Sequence, residues 1–208
     1  MEIYLNEFII IAIAHFIALL SPGADFVYLV NSSLNNQPKI AIGASLGIAL
    51  SNGFYILICL LGYATLFSQS EVLMSMIKIG GGGYLLFLGY HVMLSQSSTI
   101  NTGSTITLNQ NSFFKEVLRG FYLSFLNPKI SIFYISLFSL AISSETPLSI
   151  QLLYGLWMFL FVFIWDSLLV LLLNKKRLKE KILSFTNINK IFGALLLFMG
   201  LGLFYSMI

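Results

Sequence analysis

Apolar runs too long for the interior of an ordinary soluble domain follow one another along this chain, and two of them are interrupted by helix-breaking residues. The first interruption is Ser21-Pro22-Gly23, closely followed by Asp25; the second is Asn127-Pro128-Lys129. Proline removes a backbone donor and clashes with the preceding turn. A charge in hydrocarbon costs on the order of 3 kcal/mol on insertion scales. A chain that carries both features twice, at matching places, is expected to hold something polar inside a membrane.

Composition sets the class. The 208 residues are 58% hydrophobic and 9% charged, against about 25% charged in soluble domains. Apolar stretches of 18 or more residues read as membrane spans. We place six, at Ile3–Leu34, Ile40–Phe67, Val72–Ser95, Phe113–Ile142, Leu148–Leu173 and Ile188–Met207. Alternating apolar and polar positions are absent, which argues against a β-barrel. The N-terminus, Met1-Glu2, lacks a basic leader region, and the first apolar stretch is longer than a signal core. It is expected to be a retained span. Cys59, the single cysteine, reads as a small buried hydrophobe.

The connections carry an uneven charge. Lys39, Lys115, Arg119, Lys175, Lys176, Arg177, Lys179 and Lys181 border the odd-numbered loops, and the even-numbered loops carry no basic residue. Positive-inside reasoning puts the odd loops in the cytoplasm and both termini outside. The basic run of the fifth loop reads as a solvated anchor, so no nucleic-acid partner is expected.

The two halves match. Leu20, Pro22 and Tyr28 recur 106 residues later as Leu126, Pro128 and Tyr134. Gly82–Gly89 and Gly193–Gly200 agree at five of eight positions. Three spans per half make the second half enter from the opposite side. The expected fold is therefore an all-α membrane protein of six transmembrane helices in a 3+3 inverted-topology repeat, with the first and fourth helices broken at proline. Its parts are 1–95, a flexible cytoplasmic linker 96–112, and 113–208. Secondary transporters of this build hold substrate where broken helices meet.

Each break frees backbone groups that hydrocarbon cannot satisfy. The half-helix after a break offers N–H groups and partial positive charge to a carboxylate. Ser21, Pro22, Gly23, Asp25, Asn127, Pro128 and Lys129 are the expected substrate-binding residues. Asp25 and Lys129 offer opposite charges to a zwitterion, and Asp25 is the expected proton-coupling group. Asp166, beside Trp165, reads as an interfacial pair rather than a proton relay. His15 and His91 read as packing residues. Gly80–Gly83 lacks the sequence context of a phosphate loop and, with Gly43-Ala44-Ser45-Leu46-Gly47, reads as a close-packing face. The glycine-rich faces also offer a surface for homodimerisation.

Ser21-Pro22-Gly23-Ala24-Asp25-Phe26 resembles the S/T-P-G-P-D motif of the LysE/RhtB family of amino-acid exporters. The stretch Gly120–Lys129 resembles that family's G-F…N-P-K signature, and Ile77–Gly89 its third-span pattern. The resemblance runs the length of the chain. It implies a bacterial inner-membrane translocator that exports amino acids or their derivatives as a proton antiporter, is not an enzyme and needs no cofactor. Ala24 stands where the family often has a second proline; Ser51 and Tyr55 stand where many members have glycine or histidine. The rival reading, a divalent metal-ion exporter of related fold, needs clustered Asp, Glu, Cys or His; one cysteine and two scattered histidines do not supply them, and no metal site is expected.

Overall fold

The computed structural model describes residues 2–20, 23–62, 71–94, 112–143, 145–173 and 188–205. Every regular element among them is a helix: α1 Glu2–Leu20, α2 Ala24–Asn35, α3 Pro38–Gly62, α4 Glu71–Leu94, α5 Phe113–Phe125, α6 Pro128–Ala141, α7 Leu148–Leu173 and α8 Ile188–Tyr205. These eight helices fall within the six stretches expected to span. The first is interrupted between Leu20 and Ala24, and the fourth between Phe125 and Pro128.

Three helices, α1, α3 and α7, are each long and apolar enough to cross a membrane; α5 and α6 pass that test together, bent by 64° at the break. The two interrupted regions are unequal. At 1.5 Å per residue, the 19 residues of α1 extend about 28 Å, whereas α5 and α6 reach only about 20 Å each.

The outer surface is apolar. Leu57, Leu61, Leu153, Leu156, Ile164 and Leu168 on α3 and α7 are at least half exposed. A continuous apolar exterior of this kind is stable in lipid and not in water. Ser45, Ser51, Asn52, Ser124, Gln151 and Asp166 are instead buried between the helices, as in an integral membrane protein.

Small residues bring the helices into backbone contact. A Cβ at Gly120 of α5 would lie 2.5 Å from the Ala44 carbonyl oxygen of α3, and one at Gly43 would lie 2.7 Å from that of Phe113. Gly47 meets the Val117 carbonyl still more closely. This is the close-packing role expected of the Gly43–Gly47 stretch. A second seam joins α4 to α8. Gly82 lies against the Gly200 carbonyl and Gly89 against that of Gly193, at 3.2 and 2.7 Å from the position of an added Cβ. The pairing is antiparallel. Gly80 and Gly83 face open space.

Two buried glutamates tie opposite ends of the bundle. Glu7 near the start of α1 accepts hydrogen bonds from the Ser143 amide at 2.9 Å, the Thr146 hydroxyl at 2.7 Å and the Tyr154 hydroxyl at 3.2 Å. Glu116 near the start of α5 accepts from Tyr28 at 2.9 Å and Ser32 at 2.6 Å, and pairs with Arg119 at 3.2 Å. Tyr28 and Ser32 lie on α2, so the two clusters stand at opposite ends of the α1–α2 run.

Gly120→Val is expected to destabilise the protein by about 1–3 kcal/mol, the usual cost of overpacking, because the Ala44 backbone cannot yield. Gly83→Ala, in open space, is expected to be neutral or to stabilise by about 0.5–1 kcal/mol through helix propensity. Thermal unfolding of the two variants in detergent checks the contrast.

Candidate functional site

The second break is built locally. Asn127 has extended backbone, and its side-chain oxygen accepts from the Lys129 amide at 3.1 Å, which caps α6. Pro128 follows at the first turn of α6, where its missing N–H costs nothing. On the other side of the break, Tyr55 of α3 donates to the Phe125 carbonyl at 2.6 Å. A backbone acceptor freed by the break is thus satisfied by a side chain. At the first break, Gly23 is the N-cap of α2 and supplies no side-chain bond.

The breaks meet at one cavity of about 70 Å³. That is room for about five waters or a comparably small polar group. Gly23, Asp25, Asn127 and Lys129 line it, joined by His15, Asn52, Tyr134 and Asp166. The cavity lies at the seam between two apolar clusters, one around Tyr134, Leu137 and Met158 and the other around Leu29, Val162 and Val170.

A directional hydrogen-bond chain crosses the site. Asn52 Nδ2 donates to the Ile48 carbonyl at 2.8 Å, which can only accept, so the orientation of that amide is fixed. Tyr134 OH then donates to Asn52 Oδ1 at 2.9 Å. With its proton committed there, Tyr134 accepts from His15 Nε2 at 3.1 Å. Asn52 Nδ2 also donates to Ser124 Oγ at 3.3 Å, and Ser124 donates to Asp25 Oδ2 at 3.1 Å. Asn127 Nδ2 reaches Asp25 Oδ1 at 3.4 Å. Every donor in the series His15, Tyr134, Asn52, Ser124 is directed toward Asp25. Such a chain is polarised along its length and favours negative charge at its end.

Lys129 completes the charge pattern. Its ammonium lies against the start of α2: a Cβ added at Gly23 would meet Nζ at 3.2 Å. It also attracts the Asp25 carboxylate electrostatically. The start of α2 and the lysine from the start of α6 therefore meet at the cavity, which also holds the carboxylates of Asp25 and Asp166.

Of the expected site residues, Gly23, Asp25, Asn127 and Lys129 come together. Pro128 shapes α6 but is exposed rather than lining the cavity. Ser21 and Pro22 lie outside the described residues. Asp166 departs from the expected interfacial pairing: it is buried and borders the cavity, while Trp165 packs edge-on against Phe16 at 5.4 Å. The reason is helical phase, since adjacent residues on α7 point about 100° apart. Asn52, Ser124, Glu7 and Glu116 went unrecognised in the sequence. Ser124 sits inside the Gly120–Lys129 signature, and Asn52 is a lone amide in an apolar run; those were the available signals. Among the described residues, no three of His, Cys, Asp and Glu gather as a metal centre.

Tyr134→Phe is expected to break the chain at two bonds and leave His15 Nε2 and Asn52 Oδ1 unsatisfied. A loss of about 1–3 kcal/mol, read as a lower unfolding midpoint in detergent, checks this; an unchanged midpoint would contradict it.

Comparison with known proteins places the chain. The uncharacterized membrane protein YahN of Escherichia coli is 36% identical over 137 residues, covering 63% of this chain and 58% of the relative. An uncharacterized membrane protein of Haemophilus influenzae is 30% identical over 138 residues, covering 65% and 66%. The threonine efflux protein of Salmonella typhi is 29% identical over 141 residues, covering 66% and 68%. The chain thus spans somewhat less than two thirds of the length of the first two relatives. No solved structure matches it. The model of the LysE type translocator family matches residues 16–207, across both breaks and the whole cavity lining except His15, and the chain belongs to that family.

Proposed function

We propose that this chain is a secondary transporter that exports amino acids or their derivatives across the bacterial cytoplasmic membrane, in antiport with protons, by alternating access. The observation that carries the reading is the cavity at the meeting of the two breaks, where Asp25, Asn52, Asn127, Lys129 and Asp166 gather within an otherwise apolar lining. The threonine efflux protein of Salmonella typhi and the leucine efflux protein of Salmonella choleraesuis, 28% identical over 144 residues, support the substrate class.

The transporter has six spans, three per half (1–95 and 113–208) joined by a cytoplasmic linker at 96–112, with both termini outside. Contact symmetry supports this arrangement. Gly82 and Gly193 are equivalent positions of the two halves, as are Gly89 and Gly200, and each pairs with the other's equivalent across the α4–α8 seam. Gly53 of α3 packs against Phe159 of α7, the residue 106 positions later, at 2.9 Å from an added Cβ. Pairs of this kind arise when two halves are related by a twofold axis in the membrane plane.

In this reading the substrate's carboxylate binds where the two helix N-termini and Lys129 converge, against Gly23 and beside Asn127. Asp25 carries the proton, and Ser21 and Pro22 complete the first break. The cavity binds and releases its cargo without covalent chemistry, so the chain is a carrier and not an enzyme. The rival metal-export reading fares worse, because the Lys129 ammonium at the cavity wall repels a divalent cation.

Two outcomes are expected in proteoliposomes with an imposed pH gradient. The wild type drives uptake or release of labelled threonine or leucine according to the gradient, and Asp25→Asn retains exchange at equal pH but loses the gradient's effect. Lys129→Met raises the KM for amino acids by about tenfold or more, equivalent to at least about 1.4 kcal/mol. A wild type that moves no amino acid, but moves a divalent cation, would replace this reading with its rival.

A further inference from the structure

Among the described residues, the acids turned into the bundle are answered by donors in every case but one. Glu7 receives three hydrogen bonds, and Glu116 receives two hydroxyls and an arginine. Asp25 receives Ser124 and Asn127 and faces Lys129. Asp166 of α7 is 6% exposed and borders the cavity, yet among the described residues nothing donates a hydrogen bond to it and no cation pairs with it.

A carboxylate taken out of water without a donor or counter-charge is costly. The group is relieved either by a proton or by a cation the cavity admits. The zwitterion of the proposed function carries one. Asp25 is poorly placed to receive it, because both its oxygens already accept hydrogen bonds, from Ser124 and Asn127. Among the described residues no donor occupies Asp166, and it lines the same cavity as Lys129.

We propose that Asp166 is the residue that binds the substrate's ammonium group, with Lys129 holding the carboxylate, so that the zwitterion lies across the cavity between α7 and α6. The assignment rests on the amino-acid reading above and refines it. It gives the ammonium to Asp166 rather than to Asp25 and leaves Asp25 as the proton site. It also makes α7, an unbroken helix, part of the recognition surface. Selection for a primary ammonium then comes from a carboxylate that the protein itself leaves without a partner.

The test uses the full-length protein in detergent and compares ligands that differ at one group. Leucine and threonine are competed against their 2-hydroxy acid analogues, which keep the carboxylate and side chain but lack the ammonium. Wild type is expected to prefer the amino acid by at least about tenfold, the scale of a desolvated charge contact. Asp166→Asn is expected to bring that preference close to one while holding affinity for the hydroxy acid within about twofold. Asp166→Glu is expected to keep part of the preference. Because no donor among the described residues addresses the carboxylate, Asp166→Asn is also expected to retain or raise the unfolding midpoint. An unchanged preference in Asp166→Asn would overturn the assignment, as would a parallel loss of both ligands. If Asp25→Asn and not Asp166→Asn abolished the preference, the ammonium would belong to Asp25. A wild type that binds no amino acid would instead remove the transport reading, and this assignment with it.

Discussion

Backbone groups freed by a helix break cannot be left bare in hydrocarbon, and much of this molecule follows from that single requirement. At Asn127-Pro128 the solution is local and tertiary together. The asparagine side chain caps α6, Tyr55 reaches from α3 to the Phe125 carbonyl, and the cap's amide turns to Asp25 on α2. One break therefore fixes four helices, α2, α3, α5 and α6, against one another. It also fixes where Lys129 emerges, and so where positive charge gathers.

Glycine makes those placements rigid. Gly43, Gly47 and Gly120 bring α3 and α5 to backbone contact, and the Gly82–Gly200 and Gly89–Gly193 crossings do the same for α4 and α8. In lipid there is no hydrophobic drive between helices, so close van der Waals approach must supply the association. The glycines that the sequence offered as a dimerisation face are largely spent on this internal seam, with Gly80 and Gly83 left outward. Within that frame the charges are arranged with economy. Glu7 and Glu116 knit opposite ends, the His15–Tyr134–Asn52–Ser124 series directs its donors at Asp25, and Asp166 alone among the described buried acids is left for a visitor.

Much of the candidate site was legible because breaks are sequence events. Proline, glycine and asparagine in an apolar run state where a helix stops, whatever packs around it. Asp25 and Lys129 were legible for the same reason: each lies within one helical turn of a break. Asn52 and Ser124 were not, since a lone amide or hydroxyl on a membrane helix satisfies itself equally well by bonding its own backbone. Asn52 does both, reaching Ile48 and Ser124 with one amide nitrogen. Glu7 and Glu116 were hidden by position. Acids near helix starts usually face solvent, and only the partners Thr146, Tyr154, Tyr28 and Ser32, far away in the chain, turn these two inward.

By itself, then, the sequence determined the solvent of this protein, its helical class, the two places where helices stop and the family to which the motifs point. Each of those depends on local composition, which the chain states directly. Tertiary structure decided which side chains share a cavity and which carboxylate, among the described residues, is left without a donor. Asp166 shows why: its neighbour Trp165 faces Phe16, and one residue of helical rotation turns the acid from that packing surface to the cavity. Rotation about a helix axis is set by the helices packed around it, and no local run of residues encodes it.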